Sequence, residues 1–398
     1  MTSARLQNPA AMKTSPAPDL PVVVLLGNYP PDRQESMLRF RDLLQSGLEA
    51  EGVTTESIFP EGRLGRIFNR GLVGKWMGNI DKYLLFPLGL ESRLSAIQRK
   101  YPYRKIVVHI CDHANSVYAS RARKWFPVML TCHDLIAVRG ALGEDTDCPA
   151  TRSGKILQSA IFRGIGHANA IACISRSTQS DLIRLSGPGM AERCRVIPLA
   201  LNYPYLPLTR EEALGALARA GIDLPYHGFI LHVGTGSRRK NREALFLSVA
   251  QIKESWPGQV VFAGEGLTPA QRDLARSLGL EDRMREISRP DNETLRALYG
   301  AAHCLMFMSR FEGFGWPILE AQAAGCPVIC SNRTSVPEVA GEGAFIHEPE
   351  DYAAMAKDIL RLQEPAVRDQ LAALGFKNVQ GFSIERMIGS YQEMYRQL

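Results

Sequence analysis

The sequence predicts an α/β protein made of two Rossmann-like, doubly wound domains that face each other across a cleft. Three observations predict it: short apolar runs alternate with helix-like segments, this alternation occurs twice along the 398 residues, and a proline-containing stretch separates the two series. Alternating strand and helix signals are typical of parallel sheets covered by helices. A chain of this length is expected to hold two or three domains.

Near-continuous apolar runs of strand length suit strands that are buried on both faces of a parallel sheet. Such runs predict strands at 21–27, 105–111, 127–132, 168–174 and 194–198 in the first series, and at 228–233, 258–263, 302–308 and 327–330 in the second. Helices are predicted at 33–50, 154–167, 176–186, 240–254, 292–301 and 317–325. The segment 199–210 has two prolines and no periodicity, so we expect it to be the linker.

The composition excludes several classes of protein. Apolar residues make up 45% of the chain and charged residues 22%, which is the balance of a globular protein rather than a disordered or fibrous one. We find no apolar run of the length that a membrane-spanning helix needs. The eight cysteines include no C-x-x-C pair, so we expect reduced thiols and a cytoplasmic location.

The positive charge is concentrated in residues 63–105, which contain ten basic and two acidic residues. Aromatic and apolar side chains are interleaved with these charges, among them Trp76, Tyr83 and Leu84. A solvated face is one interpretation, and a peripheral contact with anionic lipid on the inner face of the plasma membrane is another. No nucleic-acid-binding motif accompanies the charge, so we expect no nucleic-acid partner.

Residues 309–331 carry the strongest chemical signal. They follow a predicted strand, and Gly313 and Gly315 allow the backbone to approach a ligand closely. Pro317 suits the first turn of a helix, whose free amides and positive dipole end would attract an anion such as phosphate. Glu312 precedes this helix and Glu320 lies about one turn inside it, so the two carboxylates can reach different parts of one ligand.

Glu312 and Glu320, separated by seven residues, resemble the E-x7-E motif of the family-4 retaining glycosyltransferases, which have the GT-B fold. The segments 321–332 and 335–341 are similar to the continuation of that motif, and 232–241 is similar to the diphosphate-binding loop of the family. The resemblance covers 228–398 and is thinner over the first half of the chain.

The resemblance implies a role for each matched residue. Lys240 and Arg239 would neutralise the nucleotide diphosphate, Glu320 would accept hydrogen bonds from the ribose, and Glu312 would contact the donor sugar. His133, at the end of a predicted strand, would reach the sugar or the phosphate. Catalytic candidates are therefore Glu312, His133 and Lys240. Donor-binding candidates are Gly234, Thr235, Arg239, Lys240, Gly313, Phe314, Gly315, Pro317, Ile318 and Glu320.

The resemblance also implies a division of labour between domains. We expect a disordered tail at 1–20, an acceptor-binding domain at 21–204, a nucleotide-sugar-binding domain at 205–380 and a C-terminal helix at 381–398 that crosses back to the first domain. Asn28 and Tyr29, which follow the first strand, are candidates for acceptor contacts.

The function that the resemblance implies is transfer of a hexose, of mannose or glucose type, with retention of configuration. The donor would be a GDP- or UDP-linked sugar and the acceptor a glycan or a lipid-linked molecule in polysaccharide or glycoconjugate synthesis. No cofactor or metal is expected, and Asp145 and Asp147, which form a D-x-D pattern, are predicted to lie in a solvated loop. The alternatives are a nucleotide-sugar epimerase or hydrolase of the same fold and a catalytically silent scaffold at a membrane surface.

Overall fold

The computed structural model describes residues 20–32, 34–62, 64, 71–224 and 228–398. Residues 1–19 of the expected tail, and Arg63, Arg66 and Arg70 of the basic segment, lie outside the described residues. The chain forms two compact units. The first comprises the residues up to Cys132 with Ala160–Ala172 and Ile388–Leu398, and the second comprises His133–Ser159 and Cys173–Met387.

Two six-stranded sheets confirm the predicted α/β class. The first sheet has the strand order β2-β1-β3-β4-β5-β6, and β1 pairs in parallel with both β2 and β3. All five residues of β1, β3 and β4 are buried, as expected for central strands covered on both faces. The strands are β1 (Val22–Leu26), β2 (Thr55–Ile58), β3 (Ile106–Ile110), β4 (Val128–Cys132), β5 (Ala170–Cys173) and β6 (Cys194–Val196).

The second sheet has the strand order β12-β11-β10-β7-β8-β9, and its pairings are parallel. Its core is built from β7, β8 and β10 together with the helices that pack on them. The strands are β7 (Phe229–Gly234), β8 (Gln259–Gly264), β9 (Met284–Ser288), β10 (Cys304–Phe307), β11 (Val328–Ser331) and β12 (Ala344–His347).

Helices connect the strands in both halves of the chain. In the first half they span Glu35–Ala50, Gly71–Ile80, Phe86–Lys100, Ala119–Ala122, Ile136–Ala141, Arg152–Ile165 and Arg176–Ser186, and a π-helical turn, Asp81–Leu85, joins the second of these to the third. In the second half they span Arg210–Arg219, Glu243–Gln251, Pro269–Ser277, Asn292–Ala301, Trp316–Ala323, Val336–Ala340, Tyr352–Arg361, Pro365–Val379 and Ile384–Gln397.

Three strands that the apolar pattern did not predict lie at sheet edges: β2, β9 and β12. An edge strand is covered less completely than a central one, so its sequence needs no continuous apolar run. Strand β9 reads Met-Arg-Glu-Ile-Ser and contains no buried residue, whereas its neighbour β8 has four buried residues in succession.

The last helix is fixed to the first unit by a buried polar network. His109 lies on β3, and its Nδ1 atom is 2.6 Å from the hydroxyl of Tyr395, while its Nε2 atom is 2.8 Å from Oγ1 of Thr131. The hydroxyl of Tyr391 is 3.0 Å from the same Thr131 oxygen. Buried polar groups are stabilised when each finds a partner, so this network specifies how residues 388–398 pack on the sheet.

The helical region 71–100 exposes apolar side chains. Trp76 is 68% exposed, Leu84 57% and Leu88 67%. Within the described part of the chain, no helix combines the length and the hydropathy that crossing a membrane requires.

Candidate functional site

The loop that follows β10 leads into the helix Trp316–Ala323, and the side chains of two neighbouring residues fix its course. The hydroxyl of Ser335 donates to the carbonyl oxygens of Glu312 and Phe314, at 3.0 and 2.8 Å, and Oγ1 of Thr334 accepts from the amide of Glu312 at 3.0 Å. Gly315 has a φ of 124°, a conformation that an L side chain rarely adopts. The backbone before the helix is thus held in one shape, with Pro317 in the first turn.

Glu312 lies against two cations. Its Oε1 atom is 2.5 Å from Nζ of Lys240, and its Oε2 atom is 3.2 Å from Nη1 of Arg239. The same arginine nitrogen donates to the carbonyl oxygen of Phe311 at 2.9 Å. Lys240 is buried, and the Glu312 side chain is 10% exposed. We refer to Arg239, Lys240 and Glu312 as the charged cluster.

The members of the charged cluster shift one another's pKa values. Burial by itself would raise the pKa of Glu312, but the charges of Lys240 and Arg239 outweigh it and lower that pKa below its ordinary value of 4.5. Burial lowers the pKa of Lys240 below its ordinary value of 10.5, against the opposing effect of Glu312. The ion pairs join one carboxylate to an ammonium and a guanidinium group, so the paired cluster has an excess of positive charge.

The pKa of His232 is lowered by burial and by neighbouring positive charges, including that of Lys240. This histidine lies on β7, and burial, followed by the charges of Arg242 and Lys240, lowers its pKa to about 3. The ring is therefore neutral at physiological pH. A negatively charged ligand would be favoured at this end of the sheet for the same electrostatic reason.

Glu320 lies inside the helix Trp316–Ala323 and is buried. Its Oε2 atom accepts from the hydroxyl of Tyr299 at 2.8 Å, and its Oε1 atom accepts from Nδ2 of Asn202 at 3.0 Å. Burial and the nearby Glu320 carboxylate raise the pKa of Tyr299 well above 10, so the phenol remains a hydrogen-bond donor. Asn202 belongs to the segment predicted as the linker.

His133 and Gly313 lie next to each other within the second unit. A Cβ atom added to Gly313 would collide with the carbonyl oxygen of His133, so only glycine allows this close approach. The same carbonyl accepts from Oγ1 of Thr178 at 3.3 Å. His133 is buried, and it follows directly after β4.

Arg242 is a structural residue of the site that sequence reasoning missed. Its guanidinium is fully buried and donates to the carbonyl oxygens of Gly234, Glu265 and Gly266 at 3.0, 2.8 and 2.9 Å. It therefore joins the loop after β7 to the loop after β8. The available signal was a third arginine in the run 238–242, but the sequence does not show that this one points inward.

The remaining candidates fall into two groups. Thr235 follows Gly234 at the end of β7, and Phe314 and Ile318 are buried beside the helix start. Asn28 and Tyr29 lie in the first unit, and both are buried. The structure thus brings Glu312, Lys240 and Arg239 into direct contact and places Glu320 one turn along the adjoining helix.

Asp145 of the D-x-D pattern is exposed, as expected for a solvated loop, whereas Asp147 differs from that expectation. The side chain of Asp147 is 6% exposed, its φ is 56°, and its Oδ1 atom is 3.1 Å from Nε of Arg238. The pairing with Arg238 compensates for the burial of this carboxylate. Among the residues that the structure describes, no three His, Cys, Asp or Glu side chains are grouped in a way that could hold a metal ion.

Parts of the chain are similar to known proteins. Residues 226–373 match the family model described as "Glycosyl transferases group 1". Over 236 residues the chain is 30% identical to O-antigen chain mannosyltransferase B of Escherichia coli. The match covers 58% of this chain and 61% of that protein, so the chain spans about six tenths of the length of this relative.

Solved structures share the fold over nearly the whole chain. Sucrose-phosphate synthase from Thermosynechococcus elongatus superposes with a TM-score of 0.72 at 22% identity, covering 95% of this chain and 98% of that one. Anabaena HepE, solved in complex with UDP and glucose, superposes with a TM-score of 0.66 at 16% identity, covering 95% of this chain and 100% of that one. At these identities the likeness concerns the fold, and it confirms the predicted GT-B class.

Proposed function

We propose that this chain, whose residues 226–373 match the group 1 glycosyltransferase model, is a retaining glycosyltransferase that moves a hexose from a nucleoside diphosphate sugar to a glycan or lipid-linked acceptor. The observation that carries the proposal is the charged cluster. Arg239 and Lys240 together carry one more positive charge than Glu312 neutralises. A diphosphate placed beside the start of the helix Trp316–Ala323 would supply the missing negative charge.

The proposed reaction exchanges one bond at the anomeric carbon for another. The bond from this carbon to the diphosphate oxygen breaks, and its electron pair leaves with the nucleoside diphosphate. The acceptor oxygen forms the new bond on the same face of the sugar, and the acceptor proton passes to the departing diphosphate. Lys240 and Arg239 would stabilise the charge that develops on the leaving group, so the proposal requires no metal ion.

The two carboxylates would act on different parts of the donor. Glu320 is already an acceptor of two hydrogen bonds and is fixed by Tyr299 and Asn202, which suits a carboxylate that receives ribose hydroxyls. Glu312 would release Lys240 and Arg239 to the diphosphate and turn to the hydroxyls of the hexose. Gly313 and Gly315 would present backbone amides to the same sugar, and His133 would contact the sugar or the phosphate.

The comparisons support the proposed donor class and acceptor class. The E. coli relative is an O-antigen chain mannosyltransferase by name, which favours a mannose-type sugar and a glycan acceptor. HepE was solved with UDP and glucose, which favours a UDP-linked donor of glucose type. Both donor types therefore stay within the proposal.

The proposal includes a peripheral position on the cytoplasmic face of the plasma membrane. The exposed Trp76, Leu84 and Leu88 lie in a region rich in lysine and arginine, and this combination suits insertion at the surface of an anionic bilayer. We expect the protein to float with vesicles that contain phosphatidylglycerol and to be released by high salt. Equal flotation with neutral vesicles would contradict the electrostatic part of this proposal.

A panel of donors tests the proposed activity directly. A ligand that binds only the folded protein raises its melting temperature. We expect one of the GDP-, UDP- or ADP-linked hexoses to raise the melting temperature, and the same donor to label an acceptor glycan with retention of anomeric configuration. If every donor leaves the melting temperature unchanged, the proposal is wrong. If a donor binds and is consumed at the same rate without an acceptor, the protein is a hydrolase or an epimerase.

Substitutions can distinguish the roles of the carboxylates of Glu320 and Glu312. Glu320→Ala removes a charged acceptor from the ribose and should weaken donor binding about 10- to 100-fold. Glu312→Ala should not weaken donor binding, because it frees Lys240 and Arg239 for the diphosphate, and it should lower the transfer rate about 100- to 1000-fold, because in the proposal Glu312 contacts the reacting sugar. Titration calorimetry measures the affinity, and initial rates at saturating donor measure transfer.

Two control variants separate the loss of a specific carboxylate from general effects of charge and of packing. Glu364→Ala removes an exposed carboxylate and should change neither quantity. Glu320→Gln keeps the shape of the buried side chain and should still weaken binding, which separates loss of charge from loss of packing. The opposite ordering, with Glu312→Ala losing donor affinity and Glu320→Ala losing only rate, would reject the assigned roles.

The pH dependence of donor binding tests the role of Lys240. Because its pKa is lowered from 10.5, its ammonium group loses its proton at a lower pH than a free lysine does. A diphosphate favours the protonated form, so the affinity of the wild-type protein should fall as the pH rises towards 10. The Lys240→Arg variant keeps its charge in this pH range, so its donor affinity should decrease less. The ligand titrates equally in both experiments, so the ratio of the two affinities at each pH reports only on residue 240. Parallel pH profiles would show that Lys240 does not contact the diphosphate.

A further inference from the structure

The helix Arg176–Ser186 begins at a pair of backbone amides that a distant carboxylate binds. Oε2 of Glu338 accepts from the amide of Arg176 at 3.0 Å, and Oε1 accepts from the amide of Ser177 at 3.2 Å. The first amides of a helix have no partner within the helix, and the positive end of its dipole favours an anion. The half-buried Glu338 therefore fixes the start of this helix with a charge-assisted contact.

The same helix start holds the carbonyl group of His133. Oγ of Ser175 accepts from the amide of Thr178 at 3.1 Å and donates to its Oγ1 atom at 2.9 Å. The hydroxyl of Thr178 donates to the carbonyl oxygen of His133 at 3.3 Å. A Cβ atom added to Gly313 would collide with this carbonyl oxygen, so the main chains at the two residues are in close contact. The helix start thus supports the loop that contains Gly313.

The short helix Val336–Ala340, which carries Glu338, holds the same loop by a second route. Ser335 directly precedes this helix and donates to the carbonyl oxygens of Glu312 and Phe314 at 3.0 and 2.8 Å. Glu338 lies three residues after Ser335, which is about one helical turn. A displacement of Glu338 is therefore transmitted to both of these carbonyl groups.

These contacts form a closed ring of four segments. The ring leads from Glu338 to the helix start at 175–178, on to His133, then to the loop 312–314, and returns through Ser335. All four segments belong to the second unit. In a ring each segment is held from two sides, so loss of one contact loosens its neighbours as well. The loop in this ring carries the carboxylate of the charged cluster.

We infer that Glu338 is a positioning residue of the transfer reaction, which places the carboxylate of Glu312 by holding the backbone on which it stands. The inference rests on the proposed function and adds to it a residue that acts only through Glu312. Displacing a reacting group by about 1 Å lowers a rate about 100-fold, because the group acts at one geometry only. Donor affinity in the proposal comes from Glu320 and from the cations, so loss of the ring should lower the rate and spare donor binding.

The substitution Glu338→Gln tests this role without changing the size of the side chain. An amide group has one oxygen for two backbone donors, and its own N–H groups face one of them. We expect the transfer rate at saturating donor to fall about 10- to 100-fold. Donor affinity should stay within about threefold and the melting temperature within about 3 °C of the wild-type values. The matched control, Glu342→Gln, makes the same change at an exposed residue of the same segment and should alter none of the three quantities.

A double variant separates positioning of Glu312 from general damage to the site. When one residue acts through another, removing the second cancels the effect of substituting the first. We therefore expect Glu338→Gln to slow Glu312→Ala by less than about twofold, and to slow Glu320→Gln by the same factor as the wild-type protein. An equal loss of rate in both backgrounds would overturn the inference, because it would show that Glu338 does not act through Glu312.

Hydrogen exchange tests the ring without any turnover. We expect Glu338→Ala to speed amide exchange at least about tenfold in peptides that cover 174–180 and 311–316, and Glu342→Ala to leave both peptides unchanged. Faster exchange confined to 174–180 would show that Glu338 only caps a helix, and it would overturn the inference.

These results also distinguish the inference from the proposed function. If no nucleotide sugar binds, the transferase proposal fails, and the exchange measurement alone decides whether Glu338 holds the loop of Glu312. If the wild-type protein transfers sugar and Glu338→Gln keeps the wild-type rate, the transferase proposal stands and the positioning role is wrong.

Discussion

A single buried carboxylate, that of Glu312, is shared between two cations, and the arrangement of the second unit follows from this constraint. Lys240 and Arg239 come from the segment after β7, whereas Glu312 comes from the loop after β10. Their attraction joins these two segments, and Thr334 and Ser335 hold the backbone from the other side. Because the cations exceed the carboxylate, the proposed function uses the cluster as a site for a further anion. Donor binding in this view is an exchange of partners around the cations.

Much of the fold could be predicted because central strands and amphipathic helices leave a strong pattern in the sequence. The helix predicted at 292–301 has those bounds in the structure, and the helix predicted at 317–325 spans Trp316–Ala323. The edge strands β2, β9 and β12 were missed because partial exposure removes the apolar run on which the prediction depends. The helical region 71–100 was missed for a related reason: it exposes apolar side chains, so its polar and apolar residues do not alternate as in an ordinary amphipathic helix.

The site was predictable to the extent that its residues are close in sequence. Glu312, Gly315, Pro317 and Glu320 belong to one loop and one helix, so their spacing alone indicates a ligand site. The partners of Glu320 were not predictable, because Asn202 and Tyr299 come from distant segments and only the folded chain brings them together. For Asp147 the error was the reverse. The polar sequence predicts a solvated side chain, but the carboxylate is buried and pairs with Arg238.

The buried guanidinium of Arg242 has a consequence for how this protein can change over evolution. It donates to three carbonyl oxygens of two loops, and the carboxylate of Glu265 adds a hydrogen bond from the amide of Gly236, so much of the shape of these loops is set by buried or backbone-directed contacts. An exposed residue such as Thr235 can then be exchanged while the main chain keeps its course. A scaffold of this kind permits new ligand preferences to arise by single replacements at the rim, at little cost in folding.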